Sequence, residues 1–351
     1  MKNLKQIILI AFISLVLTYI GHGQEINKEV SYNTDYYHNL DNQNFDNYLN
    51  YSVFKYQFNQ IYGARTGVKI SVVDYDQGFN TIGQHGYDML FVGSKVRISD
   101  DVEFIPVDLM TIYNTNASSY LKPNTKVVNM EGLFDNTIFV NFVHTLQKMG
   151  LLVIQPAGNG NNCTNYAVDQ VCHEFWKNNI HIDNFLVVGQ IEVYPTPFIH
   201  VGNYPITDFS VYAGVYYDGT DGPGIGGTSA AAITVSTMIA QYYSIRPCWS
   251  YRDMKKFIYA TLRPTSELGI TNDKTKTKKY LKYDTRILDD SFVQSLGLST
   301  CEDFNGFGSI TQPVNNQDSS DDNLGIIGNT LIRITEMFGR LNNRRNNNAT
   351  K

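Results

Sequence analysis

The residue best suited to nucleophilic chemistry is Ser229, which lies in segment 226–232 (GGTSAAA), ahead of an apolar stretch that extends to about Tyr243. Glycines before a helix let the backbone approach closely, and alanines let the helix pack tightly. A serine at a helix N-terminus presents its backbone N–H and the positive end of the helix dipole to a developing oxyanion. Because Thr and Ser are also ordinary helix caps, this segment alone leaves a purely structural role open.

A serine nucleophile needs a base and a group that orients the base. All seven histidines precede Ser229, which excludes an α/β-hydrolase, where the histidine follows the nucleophile. The order Asp, His, Ser remains. Asp74 ends the apolar strand predicted over 68–73, and His85 lies in segment 83–86 (GQHG), 11 positions further on. The alternatives are a solvated strand-end carboxylate and a surface-loop histidine.

A third motif lies between the histidine and the serine. Segment 151–160 (LLVIQPAGNG) is an apolar strand that ends in a tight turn displaying Asn159. A side-chain amide held at that position can donate a hydrogen bond to an oxyanion. Gly-Asn-Gly is also simply a favourable turn, so this motif gains meaning only beside the other three.

The elements that must position these residues follow a strand, helix, strand pattern. Strands are predicted over 68–73, 102–109, 126–130, 151–155 and 185–191, and the clearest helix over 137–149. Most of these strands are apolar on both faces, which is typical of a parallel sheet covered by helices. A nucleotide-binding domain is disfavoured because only Gly78 follows the first strand where such a fold needs several glycines.

Composition narrows the possible partners. The chain has 351 residues, 28 Lys plus Arg, 33 Asp plus Glu, a net charge of −5 and 42% hydrophobic residues. This weakly acidic balance gives no general electrostatic attraction to phosphate backbones, so nucleic acid is not an expected partner. The expected partner is a protein or peptide substrate.

Together, the Asp, His, Asn and Ser motifs resemble the subtilisin-like serine proteases over about 200 residues, from roughly 58 to 262. The resemblance implies an α/β fold, the subtilisin-like fold, with a mostly parallel central sheet and helices on both faces. It also implies roles for four residues in a serine endopeptidase. Asp74 orients the imidazole, His85 is the general base and then the acid, Asn159 donates to the oxyanion, and Ser229 attacks the scissile carbonyl.

The resemblance extends to a substrate-binding strand, which segment 128–132 (VNMEG) matches. It implies that Met130, Glu131 and Gly132 contact substrate, although Glu131 stands where the family usually has a serine. A carboxylate in this wall is expected to favour a basic or polar substrate side chain. The alternative is that Glu131 points to solvent.

Two departures favour a rival function, that of a catalytically impaired binding or scaffolding protein with the same fold. Tyr87 and Asp88 follow the His-Gly pair where the family has Thr and a second His, and the connection from Asp74 to His85 is unusually short.

No cofactor is required for the chemistry. Calcium commonly stabilises the family, but no loop carries a recognisable pattern of carboxylate ligands.

The ends of the chain predict a secreted protein, either extracellular or periplasmic. Lys2 and Lys5 precede an apolar run over 7–20 and a Gly-His-Gly segment at 21–23, which is typical of a signal peptide over 1–23. A polar lead-in at the surface is predicted over 24–60, the catalytic domain over 61–313, and a polar linker with an amphipathic tail over 314–351. No membrane span is expected in the mature chain.

Four cysteines in an oxidising compartment predict two disulfides. Three pairings are possible. The favoured one joins Cys163 to Cys172 and Cys248 to Cys301.

Overall fold

The computed structural model describes most of the central part of the chain; the residues described are 45–80, 83–113, 117–131, 137–159, 182–193, 197–200, 207–213, 225–271 and 273–307. The predicted signal peptide, Gly132, the cysteines at 163 and 172, and the linker with its tail lie outside these residues. The predictions made for them remain predictions.

One nine-stranded sheet forms the centre of the described fold. Its strands are β1 (Ile70–Asp76), β2 (Val102–Asp108), β3 (Thr125–Met130), β4 (Leu152–Pro156), β5 (Phe185–Val193), β6 (Pro197–His200), β7 (Phe209–Tyr212), β8 (Arg263–Pro264) and β9 (Lys279–Leu281). The order is β2-β1-β3-β4-β5-β7-β9-β8, with β6 also paired to β5. All neighbours are parallel except the pairs that β6 and β8 make. The five predicted strands are therefore confirmed.

Helices lie on both faces of this sheet, as its apolar strands require. They are α1 (Tyr51–Tyr62), α2 (His85–Val96), α3 (Thr137–Lys148), α4 (Gly227–Ile245), α5 (Tyr251–Thr261) and α6 (Asp290–Ser295). The long, almost fully buried α4 packs across β1, β3, β4 and β5. On the other face, the Tyr75 ring of β1 meets Phe142 of α3 edge to face, with centroids 5.4 Å apart. This arrangement confirms the predicted α/β fold class.

The predicted surface lead-in is wrong from about residue 45 onward. Helix α1 buries Phe54 and Phe58 completely, and their four-residue spacing places them on one helix face. The Phe54 ring stacks on Tyr283 with centroids 4.7 Å apart. This segment belongs to the core because two aromatic residues outweigh its polar composition.

A disulfide joins Cys248, just after α4, to Cys301, with Cα atoms 5.5 Å apart. This confirms the second favoured pairing. The nearby Trp249 indole donates to the Ser299 carbonyl at 2.7 Å, so the two connected segments are also held by a hydrogen bond. Within the described ranges, no helix combines the length and the apolar character needed to cross a membrane.

Candidate active site

The imidazole of His85 is paired with a carboxylate at the end of β1, and that carboxylate belongs to Asp76. His85 Nδ1 lies 2.8 Å from Oδ1 and 2.7 Å from Oδ2 of Asp76. Since a carboxylate can only accept, Nδ1 carries the proton and Nε2 is left as the acceptor. The His85 side chain is 49% exposed and that of Asp76 only 4%. A buried carboxylate therefore orients the imidazole, whose remaining surface is open to a ligand.

The prediction that Asp74 pairs with His85 is therefore wrong. Strand β1 continues to Asp76, three residues beyond its predicted end at Val73. Side chains two apart share one face of a strand, so both carboxylates face α4, but Asp74 lies one step further back along the strand. It is fully buried, and its Oδ1 accepts a hydrogen bond from Asn129 Nδ2 at 2.8 Å.

The short connection is sufficient because the chain turns directly from β1 into α2. His85 is the first residue of α2, nine positions after the carboxylate that it contacts. The backbone N–H of Gly86 donates to the Gln77 carbonyl at 2.8 Å, and that of Tyr87 donates to Gly78 at 2.9 Å. Amides at a helix N-terminus have no partner within the helix, so these bonds fix the start of α2 beside the strand end.

Ser229 is the third residue of α4 and is half-buried. Gly227 begins this helix with φ +88°, a conformation that residues with a Cβ rarely adopt. Its N–H donates to Gln190 Oε1 at 2.9 Å, while Gln190 Nε2 donates to the Ala213 carbonyl at 2.6 Å. The helix N-terminus is therefore anchored to β5 and to the segment after β7.

Asn159 follows β4 and is tied to the residue before the serine. Its Oδ1 accepts from the Thr228 N–H at 2.8 Å and from the Thr228 hydroxyl at 3.0 Å. The same hydroxyl oxygen accepts from the Gly158 N–H at 3.0 Å. Because the backbone N–H must face the carboxamide oxygen, the donor Nδ2 lies on the other side of the carboxamide.

These residues share one open cavity of about 370 Å³, within the range typical of ligand sites. It is lined by Asp76, Gln77, His85, Leu109, Glu131, Pro156, Gly158, Asn159, Thr228 and Ser229. Three of the four predicted catalytic positions therefore lie around one space. Asp74 is not among the lining residues.

Glu131 also lines this cavity, although its side chain is almost completely buried. It is 4% exposed, and its Oε1 accepts from Asn129 Nδ2 at 2.9 Å. Asn129 thus donates to Glu131 and to Asp74, while its own oxygen accepts from the Ser236 hydroxyl of α4 at 3.1 Å. The alternative in which Glu131 points to solvent is wrong.

Burial, hydrogen bonds and an excess of acidic groups shift the pKa values of the residues in this site. Burial, followed by the charge of Asp76, raises the pKa of Glu131 well above its usual value. Burial, followed by Asp76 and Glu131, does the same to the pKa of Asp74. The hydrogen bond to Asp76 raises the pKa of His85, against the effect of burial.

The Ser229 hydroxyl is a polar neighbour of the Glu131 carboxyl and favours its charged form, which partly offsets the rise in the pKa of Glu131. Among the hydrogen bonds of the described residues, none joins Ser229 to His85. Hydrogen bonds of catalytic groups are often long or misaligned before a substrate binds. The two side chains nevertheless face the same cavity.

The predicted substrate-binding strand is only partly represented in the cavity. Strand period places Asn129 and Glu131 on one face of the β3 segment and Met130 on the other. Met130 is accordingly fully buried in the hydrophobic core, and its side chain does not line the cavity.

Within the described residues, no group of three or more His, Cys, Asp or Glu side chains is placed to hold a metal ion.

Three residues of the site, Asp76, Thr228 and Gln190, are not predicted by the sequence motifs. The alternating pattern through Tyr75 is compatible with a strand that ends at Asp74 or at Asp76, so it does not single out the acid. The threonine of the serine motif could have suggested that Thr228 holds Asn159. No local signal marks Gln190, whose role depends on a contact with Gly227 across 37 positions.

Comparisons with known proteins give only distant similarity. No family model and no curated protein matches the chain. Among solved structures, the subtilase cytotoxin SubAB is similar over 66% of this chain and 92% of its own, at 16% identity and TM-score 0.46. The A-subunit of the AB5 toxin from E. coli matches 65% and 94%, at 16% identity and TM-score 0.46. The PatG macrocyclase in complex with peptide matches 68% and 94%, at 11% identity and TM-score 0.45.

Proposed function

We propose that this protein is a secreted serine endopeptidase in which Ser229 is the nucleophile, His85 the base, Asp76 the orienting acid and Asn159 the oxyanion donor. The observation that carries the proposal is that the His85–Asp76 pair, Ser229 and Asn159 all line one cavity. The serine lies at the N-terminus of a long helix, where a developing negative charge is stabilised. The Cys248–Cys301 disulfide is compatible with secretion.

The proposed reaction proceeds through an acyl-enzyme. Ser229 Oγ attacks the scissile carbonyl carbon while His85 Nε2 takes the hydroxyl proton, and Asn159 Nδ2 donates to the resulting oxyanion. Asp76 stabilises the imidazolium through Nδ1. His85 then gives its proton to the leaving amine as the C–N bond breaks. Water, deprotonated by the same imidazole, attacks the ester carbonyl, and the imidazolium returns that proton to Ser229 Oγ as the C–O bond breaks and the acid is released.

A second candidate function is supported by a different observation. The polar neighbour of the Ser229 hydroxyl is Glu131, and the hydroxyl makes no hydrogen bond to His85 in the described structure. A chain in which that arrangement persists would bind peptides without cleaving them. The two candidate functions share the same fold and the same cavity, and they differ in whether a bound peptide is cleaved.

Hydrolysis of a fluorogenic peptide library by wild-type protein and by Ser229→Ala tests the proposal. Wild-type turnover that is lost in Ser229→Ala, with an unchanged circular dichroism spectrum, supports the endopeptidase. Turnover retained in the variant contradicts it. A folded wild-type protein that binds library peptides and cleaves none favours the binding function.

A further inference from the structure

The Glu131 carboxyl presents an unsatisfied acceptor beside the proposed nucleophile. Only Oε1 has a well-formed hydrogen bond, to Asn129; Oε2 is buried and has none among the described residues. A buried carboxylate oxygen without a partner is costly to maintain. Since Glu131 lines the cavity, a bound ligand can supply the missing partner.

The charges around Glu131 make a cation the complementary ligand. Strand β1 contributes two further carboxylates, Asp74 and Asp76, and helix α2 contributes His85. His85 is paired with Asp76, while α4 contributes neutral hydroxyls, among them those of Ser229 and Ser236. No Lys or Arg of the described residues forms an ion pair with this cluster.

We propose, on the basis of the proposed endopeptidase function, that Glu131 is a specificity-determining residue that binds an ammonium or guanidinium group of the substrate. The preferred substrates are then peptides with Lys or Arg next to the scissile bond, because Glu131 lies beside Ser229. Such a cation completes the coordination of Oε2 and offsets the local negative charge. The cavity, about 370 Å³, has room for a side chain of this size.

Substrate preference is measured with pairs of fluorogenic peptides that differ only in Lys or norleucine before the scissile bond. The measured quantity is the ratio of the two kcat/KM values at about pH 8, because raising the pH favours the ionised form of a carboxyl whose pKa is raised by burial. We expect a ratio of about ten or more in wild-type protein, falling toward one in Glu131→Gln. Glu267→Gln, the same change at an exposed site outside the cavity, is expected to leave the ratio unchanged. An equal ratio in wild type and Glu131→Gln overturns the proposal.

A binding measurement separates this proposal from the proposed activity. Benzamidine, a guanidinium-like cation, and neutral benzamide are titrated into Ser229→Ala protein by calorimetry. We expect benzamidine to bind at least about tenfold more tightly, and the difference to disappear when Glu131→Gln is added. If this holds while wild-type protein hydrolyses nothing, the cation site stands and the endopeptidase assignment fails. If neither ligand is preferred, the cation site fails, whatever the turnover.

Discussion

Replacing Asp76 by Asn should abolish most activity while preserving the shape of the site. The carboxylate accepts from two donors, and one of its oxygens is shared between them. Its Oδ1 accepts the Gln77 N–H at 2.6 Å and lies 2.8 Å from His85 Nδ1, while Oδ2 lies 2.7 Å from the same nitrogen. In Asp76→Asn, the backbone N–H of Gln77 keeps the amide oxygen on its own side. The amide NH₂ then takes the position of Oδ2, the oxygen nearer to His85 Nδ1.

The consequence is a change of imidazole tautomer. An NH₂ group facing Nδ1 requires that nitrogen to accept, so the proton moves to Nε2, which can no longer take the proton of Ser229. The carboxylate charge that stabilises the imidazolium is lost as well. In serine hydrolases this change lowers kcat by about ten-thousandfold, equivalent to about 5 kcal/mol of transition-state stabilisation. We expect a loss of that order.

Asp74→Asn is the matched control, because it makes the same change two residues earlier on the same strand face. Asp74 contacts Asn129 and does not line the cavity, and an amide oxygen can keep accepting from Asn129. We expect its kcat to fall by less than about tenfold. Both variants are assayed by steady-state hydrolysis, with folding checked by circular dichroism. Loss in Asp74→Asn combined with near-normal turnover in Asp76→Asn would refute the assignment of the acid.

Three further outcomes are expected. The value of kcat/KM should rise with pH as His85 deprotonates. Its midpoint should lie above the usual histidine pKa of about 6.5, because the hydrogen bond to Asp76 raises the pKa of His85. A midpoint below that value would contradict this pairing. Asn159→Ala should lower kcat by about a hundredfold or more with little change in KM, and equal turnover would show that its amide does not reach the oxyanion. Replacing Cys248 and Cys301 together by Ala should lower the free energy of unfolding by up to about 4 kcal/mol, as expected for a disulfide spanning 53 positions; urea denaturation that shows no change would contradict it.

The order of the motifs was enough to predict that His85, Asn159 and Ser229 lie around one cavity. In a parallel sheet, polar residues that follow the carboxyl ends of neighbouring strands meet at the same edge. Strand β1 lies beside β3, and β3 beside β4, so the loops after β1 and β4 lie on the same side. The glycine-led start of α4 is placed there by its packing across these strands.

The acid was misplaced because the sequence alone does not locate the end of β1. Asp74 and Asp76 alternate with apolar residues, so a strand that ends at either residue fits the sequence. The choice depends on where α2 starts in space, since only the last residue of the strand reaches His85. Moving the acid by two residues keeps it on the same face of the strand and changes only its position along the strand. The alternation of polar and apolar residues is the same in both cases, so it cannot distinguish them.

Burial of Glu131 and of helix α1 also depends on distant contacts. Glu131 is enclosed by residues from other elements, including Ser229, so its position in sequence does not reveal whether it faces solvent. Phe54 packs against Tyr283 and Tyr242, more than 180 positions away, with centroids 4.7 and 5.9 Å apart. Local composition predicted a polar surface segment, and tertiary packing overrode it.

The most direct test of the central claim is covalent labelling with a fluorophosphonate, followed by peptide mapping. We expect one adduct per chain, located on Ser229, absent from Ser229→Ala and retained in Ser266→Ala, which changes an exposed serine outside the cavity. An adduct that persists in Ser229→Ala, or a folded wild-type protein that takes up no label, would contradict the assignment of Ser229 as an activated nucleophile.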